Sequence, residues 1–191
     1  MMPSNFIRII DAAWILAGIV WAVGRLLSKQ TARAQSPESR VVNVCLMALV
    51  AVLLCTRKLR YGPLAWRFVP ASSGVAYAAV ALTLAGVGFA IWARFFLGRN
   101  WSGIVTIKQD HSLVRRGPYA VVRHPIYSGF LLAALGTALA QGEVRGLVAV
   151  ALALIGLRMK SRLEETFLLE RFGATYAEYT REVKALIPFV W

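Results

Sequence analysis

Acidic residues are scarce in this 191-residue chain: nine Asp+Glu stand against 22 Lys+Arg, leaving a net charge of +13. Charge of either sign is thin at 16%, while apolar residues reach 58%, against about 25% and about 45–50% in an ordinary soluble domain. A soluble domain of about 150 residues buries only about 68–70% of its unfolded surface, too little to hide so much apolar area. Lipid must do part of the burying, and the chain reads as one integral membrane domain. Cysteine is nearly absent. Cys45 and Cys55 lie ten residues apart on one expected helix, about 15 Å along its axis, which excludes a disulfide between them. Neither they nor the two histidines make a zinc spacing, so no metal is expected. Phosphate loop, zinc-protease helix and serine elbow are all missing. Gly86-Val-Gly88 lacks the third glycine of a dinucleotide loop and reads as helix packing. Nor are ionisable groups strung through the apolar runs, as an ion path requires. The basic excess is therefore assigned to membrane orientation and anionic lipid, with no nucleic-acid partner.

The apolar runs lay out the chain. Val69 to Ala93 offers 25 residues without an acid or base, Pro125 to Gly142 another 18, and Gly146 to Leu157 another 12. Between the last two, Gln141-Gly142-Glu143-Val144-Arg145 makes a short polar turn and hence an antiparallel hairpin. Val41 to Thr56 is uncharged, and Phe6 to Leu27 is broken only by Arg8, Asp11 and Arg25. These runs predict an all-α protein with five transmembrane helices, at about 6–27, 41–57, 70–96, 125–141 and 144–164. The second is short enough that a re-entrant or interfacial element competes with a span. A signal peptide competes at the N-terminus, but neither a basic n-region nor a small-x-small cleavage site supports it. Five helices put the termini on opposite sides. Sixteen of the 22 basic residues then share one face, which the positive-inside rule makes cytoplasmic, with the N-terminus outside. The cluster at 57–67 is the exception.

That topology brings three polar helix ends together: Arg94-Phe-Phe-Leu-Gly-Arg-Asn-Trp-Ser102, Gly117-Pro-Tyr-Ala-Val-Val-Arg-His-Pro-Ile-Tyr-Ser-Gly129, and Lys160-Ser-Arg-Leu-Glu-Glu165. Pro125 fits the first turn of a helix, whose unpaired N–H groups favour an anion. Arg123 adds a bidentate fork suited to a carboxylate. Glu164 and Glu165 offer negative charge for a ligand ammonium, although neighbours about 100° apart on a helix are not expected to face one ligand equally. Val105-Thr106-Ile107 and Ser112-Leu113-Val114 suggest a small hairpin or folded loop over the site, with His111 solvated at its tip. After Glu165 the chain stays amphipathic, and a hydrophobic tail ending at Trp191 is expected to dock under the membrane.

These residues resemble the isoprenylcysteine carboxyl methyltransferase family, within a broader group that includes membrane phospholipid methyltransferases. The resemblance rests on Gly117-Pro-Tyr119, Arg123-His-Pro-x-Tyr-x-Gly129, Glu164-Glu165, and Phe172-Gly173-x-x-Tyr176-x-x-Tyr179 with Leu186-Ile-Pro188. It covers roughly 94 to 190; the chain divides into variable N-terminal helices (1–68) and a cofactor-binding core (69–191). It implies S-adenosylmethionine, left as S-adenosylhomocysteine, in a cytosolic pocket closed by the C-terminal segment. His124, Pro125, Tyr127 and Gly129 then belong to the cofactor's carboxylate side, and Glu164 or Glu165 to its ammonium. Leu97, Gly98, Tyr119, Leu186 and Pro188 would wall the adenosyl part. Arg123 and Glu165 are the candidates for direct chemistry on a lipophilic substrate, with Arg123 placing a prenylcysteine-like carboxylate. A phospholipid amine would instead require Glu165 or His124 as a base. An NADPH-dependent sterol-type reductase and a non-catalytic lipid-binding protein are the competing classes.

Overall fold

In the computed structural model the described residues are 3–26, 31–34, 36–56, 61–98, 106–108 and 113–188. They form α1 (Ser4–Leu26), β1 (Thr31–Ala34), α2 (Pro37–Cys55), α3 (Ser73–Leu97), β2 (Thr106–Lys108), α4 (Pro125–Gln141), α5 (Val144–Phe172) and α6 (Ala174–Glu182). Short 3-10 turns at Gly62–Ala65 and Gly117–Ala120 precede α3 and α4. Among the described residues, three helices are long and apolar enough to cross a membrane: Ser4–Leu26, Pro37–Cys55 and Ser73–Leu97. Pro125–Gln141 is apolar but has 17 residues, about 25 Å of helix against a hydrocarbon core of about 30 Å. His111 and Trp191, and the basic residues Lys29, Arg57, Lys58, Arg60 and Arg99, lie outside the described residues.

Local chemistry explains most boundaries. Ser36 and Ser72 cap α2 and α3, each accepting a hydrogen bond from the N–H three residues on, at 3.3 Å. Pro37 and Pro125 open α2 and α4 in the first turn. The cap at Ser36 starts α2 ahead of the apolar run at 41, giving 19 residues where a shorter element was expected. One expectation fails. α5 does not stop near 164 but runs to Phe172, because no breaker intervenes before Gly173; Glu164 and Glu165 therefore sit within a helix, not at its end. Residues 105 and 112 of the expected loop element lie outside the described residues, and β2 runs antiparallel to β1, with Lys108 opposite Thr31 and Thr106 opposite Ala34.

α3 and α4 form the tightest pair, and glycine makes it so. A Cβ on Gly129 would lie 2.6 Å from the Gly86 carbonyl oxygen and 2.7 Å from the Ala90 nitrogen. One on Gly136 would lie 2.5 Å from Thr83 Oγ1. Small residues let two backbones meet in lipid, where no hydrophobic effect drives helices together. Thr83 and Thr137 return their hydroxyls to the Ala79 and Ala133 carbonyls, both at 2.9 Å. α1 joins this pair through Trp14, whose indole N–H donates to Thr137 Oγ1 at 3.0 Å, and Trp14 stacks on Phe130. α5 packs on the other side of α4, and α2 packs on α5.

The end of the bundle opposite Pro125 is held by a buried ion pair. Arg145 Nε donates to Glu143 Oε2 at 2.7 Å, and its Nη1 reaches the Leu53 carbonyl at 2.9 Å and the Thr56 carbonyl. Gln141 also donates to the Leu53 and Leu54 carbonyls, so the unpaired C=O groups at the end of α2 are satisfied by the α4–α5 turn. Gly129→Ala is expected to destabilise the protein by about 1–3 kcal/mol through overpacking. Gly88→Ala, where an added Cβ meets nothing within 4 Å, should not. Thermal unfolding of the two variants in one detergent checks the contrast.

Candidate functional site

Four segments meet at the Pro125 end of α4: the turn entering it, the middle of α5, α6, and the stretch 183–188. The stretch is fastened by main chain. Arg123 N–H donates to the Lys184 carbonyl at 2.8 Å and His124 N–H to that of Ala185 at 3.0 Å. Ser128 Oγ donates to the Leu186 carbonyl at 2.5 Å. Leu186 is fully buried, whereas Pro188 is exposed.

His124 lies between two carboxylates. Its Nε2 is 3.0 Å from Glu165 Oε1, and its Nδ1 is 3.4 Å from Glu164 Oε2. Consecutive glutamates on α5 therefore reach one imidazole from two sides. Tyr127 stacks on the imidazole with 5.5 Å between centroids and donates to Glu164 Oε1 at 2.5 Å. Lys160 Nζ lies 5.4 Å above the Tyr127 ring. Burial pushes the His124 pKa down, but hydrogen bonds and charge from Glu164 and Glu165 outweigh it and raise it above 6.5. With a carboxylate on each nitrogen, the imidazolium form donates twice, where the neutral ring would aim a lone pair at an anion.

Arg123 completes the cluster. Its Nε and Nη2 donate to Glu165 Oε1 at 2.9 and 2.7 Å, and its Nη1 donates to the Thr180 carbonyl at 3.2 Å and to that of Val183. The guanidinium thus caps the end of α6 while pairing with α5. Burial alone raises the Glu165 pKa, yet His124 and Arg123, by hydrogen bond and charge, hold it down at about 2.

The remaining candidates fall into three groups. Leu97 and Tyr119 share a core cluster with Ala93 and Ile126. Gly98 ends α3 at φ 54°, a conformation that favours glycine, with open space where a Cβ would stand. Its carbonyl accepts from Arg94 Nη1 at 2.7 Å, and Arg94 Nη2 reaches the Gly24 carbonyl at 2.9 Å, tying α1 to the same turn. Pro125 is buried at the head of α4. Of the donors there, Pro125 has none, and those of Tyr127 and Ser128 go to the His124 carbonyl, so the expected open anion site is largely closed. Gly129 must be corrected: its bare face is filled by α3, and close helix packing explains it.

Tyr176 and Tyr179 were not singled out as site residues, although three-residue spacing puts them on one face of α6. Tyr179 donates to the Tyr119 carbonyl, and Arg115 lies 5.3 Å over its ring while pairing with Glu182 at 2.6 Å. Tyr176 is 2% exposed, and its hydroxyl lies beside the Arg123 guanidinium.

The family model described as phospholipid methyltransferase matches residues 75–175, more than half of the chain and most of the site. The chain belongs to the phospholipid methyltransferase family. Within that family it is similar to a probable protein-S-isoprenylcysteine O-methyltransferase of Oryza sativa subsp. indica, 33% identical over 121 residues, 61% of this chain and 62% of that one. The protein-S-isoprenylcysteine O-methyltransferases of Schizosaccharomyces pombe and Saccharomyces cerevisiae are 38% and 40% identical over 96 residues, 49% of this chain and 41% and 40% of theirs. The chain thus spans less than two thirds of the length of these relatives. A solved eukaryotic intramembrane Ras methyltransferase, isoprenylcysteine carboxyl methyltransferase, shares the fold at a TM-score of 0.54 and 24% identity, over 83% of this chain and 55% of that one.

The charge cluster makes stability pH-dependent on both sides. Glu165 contributes fully above 4.5 and progressively less as pH falls from there towards about 2. His124 contributes fully below 6.5 and loses its share as pH rises through its elevated value. Glu165→Gln should lower the melting temperature at neutral pH and flatten its fall on the acid side. Melting curves from pH 7 to 3 would refute this if both proteins kept the same slope.

Proposed function

We propose that this protein transfers a methyl group from S-adenosylmethionine to a carboxylate on a lipophilic, prenylcysteine-like molecule at the membrane. The observation that carries the choice of acceptor is the state of the site's bases. Among the described residues, His124 has both nitrogens facing glutamates, and Glu165 is held at about 2 while accepting from Arg123. Neither is a free base near neutrality. An ammonium headgroup must lose a proton before it can attack, and these groups do not take it. A substrate α-carboxyl, with a pKa of about 3.3–3.7, arrives already ionised. The names of the relatives support the same acceptor.

The residues present suit the donor. Gly98 exposes backbone at the end of α3, and Glu164 and Glu165 supply negative charge for an ammonium. When bound, S-adenosylmethionine supplies the electrophilic methyl on its sulfonium. The chain's own task is then placement and exclusion of water. Holding nucleophile and electrophile in line contributes up to about 7–11 kcal/mol to barrier lowering. Leu97 and Tyr119 flank the adenosyl side, with Leu186 in the C-terminal stretch. Arg123, the expected partner of the substrate carboxylate, also fastens that stretch over the site and holds Glu165 in place.

In this reading α4 and the apolar part of α5 also cross the membrane, giving five spans, with the site and C-terminus cytoplasmic and the N-terminus outside. In a protein freed of native cysteines, Thr175→Cys should then label only from the cytoplasm and Tyr61→Cys only from outside. Label at both positions from one side would rule the topology out.

Single-turnover transfer from labelled S-adenosylmethionine distinguishes the acceptors. A prenylcysteine analogue should gain base-labile label at a rate nearly flat from pH 6 to 9. Stable label on phosphatidylethanolamine, rising with pH, would overturn the carboxylate reading in favour of the chemistry for which the family is named.

A further inference from the structure

The connection between α2 and α3 carries a charge that the positive-inside count does not account for. Residues 57–72 include Arg57, Lys58, Arg60 and Arg67 and no acid. The described part of this connection, from Tyr61 onward, is fastened to the α4–α5 turn, at the end of the bundle away from the candidate site. Val144 N–H donates to the Trp66 carbonyl at 2.9 Å, and Phe68 N–H donates to that of Gly142 at 3.0 Å. Arg67 Nε donates to the Val69 carbonyl at 3.2 Å and its Nη1 to the Gln141 carbonyl at 3.4 Å. Yet this fixed backbone turns large side chains outward: Tyr61 is 75% exposed and Trp66 67%, and Leu64, Arg67 and Phe68 are exposed between and after them. Tyrosine and tryptophan each combine an apolar body with one polar tip, which suits a boundary better than water or hydrocarbon.

The place of the loop says which boundary. α4 ends at Gln141 after 17 residues, about 25 Å against a hydrocarbon core of about 30 Å. A short span draws the polar boundary towards its end, so the loop resting on that end stands at headgroup level, where Trp and Tyr collect. The Arg67 side chain satisfies there the Gln141 carbonyl, which a lipid tail could not. Among the described residues, the acid opposite Arg67 in a backbone bridge, Glu143, is paired with Arg145. Exposed aromatics beside positive charge on the rim of spanning helices favour a lipid surface over a soluble protein.

We propose that Tyr61, Trp66 and Arg67 form a lipid-docking surface: the two aromatic side chains enter the headgroup layer, and Arg67 binds the phosphate of an anionic phospholipid. This rests on the five-span reading above and is independent of the methyl donor and acceptor.

The test places a fluorescent donor on Leu64→Cys in the full chain freed of Cys45 and Cys55, in nanodiscs holding one copy. Trace phosphatidylglycerol or phosphatidylcholine, each carrying an acceptor on its acyl chain, reports which lipid gathers at the loop. The parent should transfer more energy to phosphatidylglycerol, and the preference should fade as salt rises. Arg67→Gln should cut that preference roughly fivefold, the factor for one arginine at a charged surface, whereas Arg67→Lys should keep it. Tyr61→Gln combined with Trp66→Gln should lower transfer to both lipids alike. Equal transfer to the two lipids by the parent would overturn the proposal. Loss of the preference in Arg67→Lys as well as Arg67→Gln would also overturn it, since the bonds to the Val69 and Gln141 carbonyls would then be the cause. Transfer to neither lipid would mean that the loop stands clear of the membrane, open to a protein partner, which overturns it too. Label at both Thr175→Cys and Tyr61→Cys from one side would remove the five-span reading and this inference with it, whereas the other outcomes bear on the inference alone.

Discussion

An imidazole held between two carboxylates organises this end of the molecule, because neither glutamate can be buried as an anion without a positive partner. His124 meets Glu165 and Glu164 with its two nitrogens, and Arg123 meets Glu165 from the other side. Each group requires the others. Arg123 and His124 are adjacent in the turn that enters α4, so the ion cluster sets the rotation of α5 against α4. Their backbone N–H groups face away from it and take the Lys184 and Ala185 carbonyls. One dipeptide thus couples two helices on its side-chain face and the C-terminal stretch on its main-chain face.

The site therefore depends on packing some distance away. α4 can present His124 to α5 only because α3 supports it from behind, and that support needs the bare faces of Gly86, Gly129 and Gly136. Arg94 extends the same logic to α1, tying the Gly24 carbonyl to the turn at Gly98. The geometry of the cluster is held by elements of regular structure rather than by loops alone, which is what placement to a fraction of an ångström demands.

Much of this was legible in the sequence because the signals were local. Uncharged runs located the helices, Pro125 marked the head of α4, and the Gln141–Arg145 turn announced the α4–α5 hairpin. The meeting of Arg123, His124 and Tyr127 with Glu164 and Glu165 followed from counting helices. What was not legible depends on pairing or direction. Three residues of β2 carry no mark that their partner lies at 31–34, some 75 positions earlier. A glycine in a binding motif looks the same whether its bare face meets a ligand or another helix, and Gly129 meets α3. The reach of α5 past Glu165 was missed because apolarity was taken as the measure of helix length, although the polar residues that follow are good helix formers. Whether Arg123 faces a substrate or the end of α6 is a matter of side-chain direction, which spacing does not encode.

The ion pair at the far end has a different kind of consequence. Arg145 and Gln141 grip the last carbonyls of α2, and Ser36 caps its beginning, so the helix is anchored at its termini by polar contacts. Between them Val41, Val42, Val44, Leu49 and Val52 are exposed on the protein surface, where lipid asks only that a residue be greasy. Exchanging one such residue for another costs little, so this helix is free to drift in sequence while remaining in position. A helix held this way can present a changed surface to hydrophobic molecules without disturbing the ion cluster at the other end of the bundle.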